Sequence, residues 1–140
     1  MNSILRATKF SEGDSLGKLL LRLTLGILIL LHGIAKILNP GSLEFIEGQL
    51  TASGLSPYIA YGVFLGEVIA PLLIIFGIFT RFGGFLIAGT IVFAIILVHS
   101  NEFLSLGETG GWALELQGFY LLCGLTILLM GSGKFAIRPD

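Results

Sequence analysis

Charge is the scarcest property of this sequence. Asp, Glu, Lys and Arg make up 12% of its 140 residues, against about 25% in an average soluble domain. Eight basic residues face nine acidic ones, for a net charge of −1. With no basic stripe to neutralise phosphates, nucleic acid is excluded as a partner. Cysteine is nearly absent too. The one thiol, Cys123, rules out a disulfide framework, a dithiol motif and a self-held iron–sulfur cluster. No G-x-G-x-x-G follows a strand and no G-x-x-x-x-G-K-[ST] occurs, so the chain builds no nucleotide site. It carries no intrinsic cofactor that its motifs can name.

Apolar residues and glycine are there instead. Hydrophobic side chains account for 54% of the chain, glycine for 20 residues, and the mean hydropathy is +0.95. A soluble domain of this size cannot hide so much apolar surface, which leaves an integral membrane protein whose main partner is the lipid bilayer. A hydrocarbon core about 30 Å thick needs about 20 apolar residues per helix. Four runs approach that length, at 16–38, 59–79, 82–99 and 112–130. They are continuous rather than alternating, which excludes a barrel. The expected fold is an all-α integral membrane four-helix bundle, up-down-up-down, in one domain over 1–140. The first run has a basic flank, but it is long, contains His32 and Lys36, and lacks a small-x-small cleavage site. It reads as a retained span rather than a signal peptide.

Basic residues set the orientation. Arg6, Lys9, Lys18 and Arg22 precede or open the first span, Arg81 lies between the second and third, and Lys134 and Arg138 close the chain. Only Lys36 lies on the other side. Both termini are therefore expected in the cytoplasm, with the two longer loops outside. The first outer loop has the turn Asn39-Pro40-Gly41, Ser42 as a candidate N-cap, and Leu43, Ile46 and Leu50 at helical spacing before Gly54. That pattern predicts a short helix on the outer surface. Tyr58, Tyr61 and Trp112 mark the outer headgroup level.

Ionisable groups within spans cost at least about 2.5 kcal/mol each and call for a partner or a task. Counted from the outer ends at about 1.5 Å per residue, Lys36, Glu115, His32 and Glu67 all fall in the outer half, with His99 at the boundary. Together with Gln117 they predict one polar pocket at the outer end of the bundle. His32 and Lys36 stand one turn apart on a face. Arg22, Gly26, Gly33 and Lys36 share a stripe of the first span, while Gly62, Gly66 and Ala70 form a small-residue series beside Glu67 in the second. Arg22, near the cytoplasmic end, is expected to snorkel. Pro71 is expected to kink the second span and Cys123 to be inert. The same groups serve a purely structural reading, in which Glu67 and Glu115 pair with cations to fix helix register.

A protonatable pocket in the outer leaflet suits a quinone-like ligand, with His32 and Lys36 donating to a ring carbonyl and Glu67 passing a proton. His32 and Glu67 are the candidate catalytic residues. Lys36, His99, Glu115 and Gln117 are candidates for ligand binding. Arg22, Gly26, Gly33, Gly62 and Gly66 are candidate structural residues. A haem held by His32 and His99 is the one metal scheme that two histidines allow, and it is disfavoured because it demands a large apolar slot. Two other readings stay open: a non-catalytic subunit that stabilises another membrane protein through its small-residue faces, and a small-solute or proton conduit.

Several pieces, in order, resemble the DoxX family of small four-helix bacterial membrane proteins: Arg22-Leu-x-x-Gly26, His32-Gly33-x-x-Lys36, Gly66-Glu67, Gly77-x-x-Thr80-Arg81, His99, Glu115 and Gly131-x-Gly133. The resemblance implies a four-span bundle of the bacterial inner membrane and a membrane oxidoreductase linked to quinone or thiol redox systems. Because the chain has no cofactor site of its own, the electrons are expected from a redox partner subunit. It leaves association with further copies of the chain open.

Overall fold

The computed structural model describes residues 2–140, and side chains outside residues 7–10, so Lys9 falls outside the described side chains. Its regular elements are helical: α1 (Asn2–Leu38), α2 (Pro40–Ala52), a composite second span (Pro57–Phe76) ending in α3 (Ala70–Phe76), α4 (Thr80–Val98) and α5 (Glu115–Met130). Three helices are long and apolar enough to cross a membrane: α1, the second span and α4. The apolar α5 is shorter, at 16 residues.

Three boundaries differ from those read in the sequence. Helix α1 starts far upstream of residue 16, because no proline interrupts residues 2–15. Helix α2 is capped at Asn39 rather than Ser42, since Pro40 occupies the first turn, where a missing N–H costs nothing. Helix α5 starts at Glu115 rather than Trp112. The segment before it folds on itself, with Trp112 Nε1 donating to the Phe103 carbonyl at 2.7 Å and Ala113 N to that of Ser105 at 3.0 Å.

Helix α1 meets the second span along the small, cationic stripe that its sequence spacing predicts. A methyl group on Gly26 would fall 2.5 Å from Ile75 Cγ1, and one on Gly33 would collide with the Glu67 carbonyl. Without side chains at these two positions the backbones approach closely. Arg22 lies at one end of this seam and Lys36 at the other.

Arg22 does not snorkel. It is 1% exposed, and its guanidinium donates to four carbonyl oxygens: Ile74 at 2.8 Å, Ile75 at 3.2 Å, Ser132 at 2.9 Å and Phe135 at 2.7 Å. The last carbonyls of a helix lack intrahelical partners and carry partial negative charge. Those of α3 are turned inward where Gly77 (φ 73°) reverses the chain, so a fork of fixed donors held inside the protein satisfies them better than water outside could. The tail returns beneath the same end, with Ile137 N and Arg138 N donating to the carbonyls of Phe76 and Gly77. Arg81 treats α5 likewise, donating to Leu128 and Leu129 at 2.9 and 2.7 Å.

Helices α4 and α5 cross where two glycines meet. A methyl on Gly84 would stand 2.6 Å from the Gly124 carbonyl oxygen, and one on Gly124 would stand 3.0 Å from that of Gly84. Gly66 abuts Thr90 of α4, leaving no room for a methyl. Gly62 breaks the expected series: a methyl there meets nothing within 4 Å. It belongs to a 3₁₀ segment, Pro57–Gly62, and a π-helical turn separates it from Ala70, so the three residues cannot keep one helical stripe. Between the ends lies an apolar core containing Leu25, Ile29, Ala70, Ile74, Ile87, Tyr120 and Ile127.

Two outcomes follow from these contacts. Gly84→Ala should lower stability in detergent by about 1–3 kcal/mol through overpacking, with Gly62→Ala near zero; thermal unfolding of both variants checks the contrast. Arg22→Leu should cost more than about 3 kcal/mol by orphaning buried carbonyls. Arg22→Lys should restore only part, because an ammonium lacks the planar fork. Folded yield after mild extraction, together with urea titration, measures both.

Candidate functional site: a polar pair in an apolar cavity

At the end of the bundle opposite Arg22, the helices part around a cavity of about 820 Å³. Helix α2 covers part of it with Phe45 and Ile46, the second span contributes Val63 and Glu67, and α4 supplies Phe85, Thr90 and Phe93. Helix α1 adds Ile29, His32 and Lys36, and α5 adds Leu116, Gln117 and Tyr120. Most of the wall is hydrocarbon. That is the usual character of a small-molecule site, in which a few polar groups fix orientation.

Within it Lys36 Nζ donates to Glu67 Oε2 at 2.5 Å. The side chains are 20% and 14% exposed, so neither is fully solvated, and each is the other's means of remaining charged. Glu67 is presented by an irregular piece of helix. Pro71 has no N–H to offer the Glu67 carbonyl four residues back, and the preceding turn widens, with Ala70 N donating to Leu65 O in place of the α-helical partner. Such π-helical turns cluster at functional positions in other proteins. Here the expected kink takes the form of an extra residue in the turn, and Gly33 lies against the carbonyl that Pro71 leaves free.

The other predicted residues divide. His32 lines the cavity and packs edge-on against the Tyr120 ring, with centroids 6.2 Å apart and planes at 78°. Gln117 lines the same space. His99 borders it at the end of α4, with Nδ1 3.0 Å from Glu102 Oε2. Glu115 is not among the lining residues. As the first residue of α5 it is exposed, and its carboxylate lies close over Gly111. An acid in a first helical turn is favoured by the free amides and dipole there, and starting α5 at 115 puts it in that turn. Two residues were missed in the sequence: Thr90 and Tyr120. Tyr120 shares a face with Gln117, three positions earlier, and that spacing was the available signal. Among the described residues, no group of three or more His, Cys, Asp or Glu side chains is placed to hold a metal ion.

The DoxX family profile matches residues 17–100, from the first span through α4, and so takes in Arg22, His32, Lys36, Glu67 and His99. The chain belongs to the DoxX family. The DoxX match ends before α5, so Gln117 and Tyr120 lie outside it. A relative that spans both is the protein named "Putative oxidoreductase CatD" of Bacillus subtilis (strain 168). It is 34% identical over 130 residues, covering 92% of this chain and 90% of that one. No solved structure matches. DoxX membership and the apolar helices make this a membrane protein.

The ion pair should behave as a unit. Lys36→Met and Glu67→Gln, each leaving one charge unpaired, should destabilise the protein more than the double substitution does. The expected coupling is about 1–3 kcal/mol, read from a double-mutant cycle by reversible denaturation in mixed micelles.

Proposed function

We propose that this DoxX protein is an oxidoreductase subunit of the bacterial inner membrane that binds a quinone-like molecule in the cavity and exchanges protons with it. The bundle is read as up-down-up-down, with both termini in the cytoplasm and the cavity in the outer leaflet. Support for that orientation comes from the basic residues: Arg22, Arg81, Lys134 and Arg138 gather at the end opposite the cavity, which holds Lys36 alone. The observation that carries the function is the Lys36–Glu67 pair facing the same largely apolar space as His32.

A quinone taking up two electrons must also take up two protons to become the quinol. A ring carbonyl accepting from the Lys36 ammonium or from His32 is polarised toward that uptake. Once the ligand engages the Lys36 ammonium, the Glu67 carboxylate beside it is placed to accept a proton and pass it on. The chain has no electron carrier of its own among its motifs, so both electrons come from a redox partner subunit. The name of the Bacillus subtilis relative, an oxidoreductase, agrees with this class of chemistry.

Protein extracted in mild detergent should bind decylubiquinone, followed by quenching of Trp112 fluorescence. Glu67→Gln and His32→Ala should each weaken binding at least about tenfold, equivalent to about 1.4 kcal/mol. Binding left intact by both changes would falsify the assignment, and a Soret band in the purified protein would direct the chemistry to haem instead.

A further inference from the structure

Of the glycines in α4, Gly83 and Gly84 are accounted for by packing, since a methyl on either would come within 2.7 Å of Ile74 or of the Gly124 carbonyl. Gly89 is not. A methyl there meets nothing within 4 Å, and the residue is exposed, although glycine inside a helix is less stable than alanine. Yet Gly89 lines the cavity. Its direction follows from its neighbours. Ala88 lies on the α5 side, its amide 3.3 Å from where a methyl on Gly124 would stand, and Thr90 abuts Gly66 of the second span. Successive helical residues turn by about 100°, so Gly89 points away from both neighbours and out of the bundle, with Ile87 of the core on the opposite side. Phe85 and Phe93, one turn to either side of Gly89, also line the cavity and are 56% and 40% exposed. The cavity therefore reaches the outside of the bundle along this face.

The facing edge is open as well. The second span meets α4 at Gly66 and Thr90, but no Cα of its preceding segment, Pro57–Gly62, comes within 8 Å of one in α4. Ile59 and Gly62 of that segment line the cavity and are exposed, and a methyl on Gly62 meets nothing within 4 Å. Depth decides what can use this mouth. Gly89 is the middle residue of the 19 in α4, about 14 Å from either end at 1.5 Å per residue. A helix that crosses a membrane has hydrocarbon rather than water around its midpoint.

We propose that this mouth is a lateral portal and that the ligand is a ring bearing a long hydrocarbon chain. The ring sits among the polar groups of the cavity, and the chain lies across Gly89 and Gly62 into the bilayer. The inference rests on the quinone reading above and adds the chain and its route. A chain that moves from lipid into a mouth open to lipid gains little from the hydrophobic effect, because lipid tails are as apolar as the side chains around them. The portal consequently governs admission: a tailed ligand seats its ring without drawing its chain into the slot. A bulky side chain in the mouth then acts on the tailed ligand alone.

Decylubiquinone and the same ring with methyl in place of the decyl chain separate the possibilities. The full-length protein in phosphatidylcholine nanodiscs should bind both, read from saturable quenching of Trp112 fluorescence with ligand expressed per mole of lipid. Gly89→Phe and Gly62→Phe should each weaken equilibrium binding of the decyl compound at least about tenfold, by a steric clash built against the chain, and change that of the methyl compound by less than about threefold. Both new side chains enter open space, so the unliganded variants should melt no lower than the parent. A lower melting temperature in both would show packed glycines and overturn the proposal. So would equal losses for the two compounds, no loss for either, or binding of the methyl compound alone by the unsubstituted protein, all of which leave the quinone reading intact. Release of a co-purifying phospholipid by Gly89→Phe, with both quinones unaffected, would give the mouth to a lipid chain and overturn it too. Binding of neither compound by the unsubstituted protein overturns both readings.

Discussion

The bundle is organised around one guanidinium. Arg22 is a cation inside a helical protein, with no salt-bridge partner among the described residues, although the Asp140 carboxylate is near enough for its charge to act on it; what makes it tolerable is a set of carbonyl oxygens that would themselves be orphans without it. The exchange is mutual: α3 can end inside the protein because Arg22 is there, and Arg22 can be there because α3 ends. The same fork reaches Ser132 and Phe135 and so ties in the C-terminal tail. With one end of the α1 seam pinned in this way, the glycine contacts at 26 and 33 set the spacing. The Lys36–Glu67 pair is then held at the far end by the same rigid element, which is how a polar site in a small bundle obtains fixed geometry.

Different physical constraints govern the two ends. Near the tail the chain is turned by glycines, and the carbonyls of Ile74, Ile75, Ser132 and Phe135 accept from Arg22. Near α2 the second span gives up regular helix, first to a π-helical turn at Glu67 and then to a 3₁₀ segment, and the neighbouring helices stand apart. Irregular backbone at membrane depth is tolerable only where protein or a cavity receives its polar groups, and Gly33 and the cavity do so here. The side chains of Phe45, Phe85 and Phe93 line that opening with aromatic carbon, leaving the few polar groups conspicuous.

Much of this was legible in the sequence because it followed a single period. Arg22, Gly26, Gly33 and Lys36 lie on an uninterrupted stretch of α1, where helical phase is conserved from end to end, so their common stripe translated directly into contacts. The second span did not allow the same reading. The second span changes its angular step from the 3₁₀ segment Pro57–Gly62 to the π-helical turn Leu65–Ile69, which is why Gly62 left the face it seemed to share with Gly66. Glu115 was misplaced for a different reason: hydropathy finds an apolar run but not where its first turn closes, and that is set by loop bonds such as Trp112 to Phe103. Arg22 was assigned to water because its partners are main-chain oxygens brought from 52 to 113 positions away, and no side-chain pattern announces them.

The apolar plug described above, from Leu25 and Ile29 across to Ile74, Ile87 and Ile127, stands between the cavity and the buried guanidinium. Apart from the Tyr120 phenol and the Cys123 thiol packed against it, that layer is hydrocarbon. A substitution that opened this layer would let water from the cavity reach the carbonyl oxygens that Arg22 now holds.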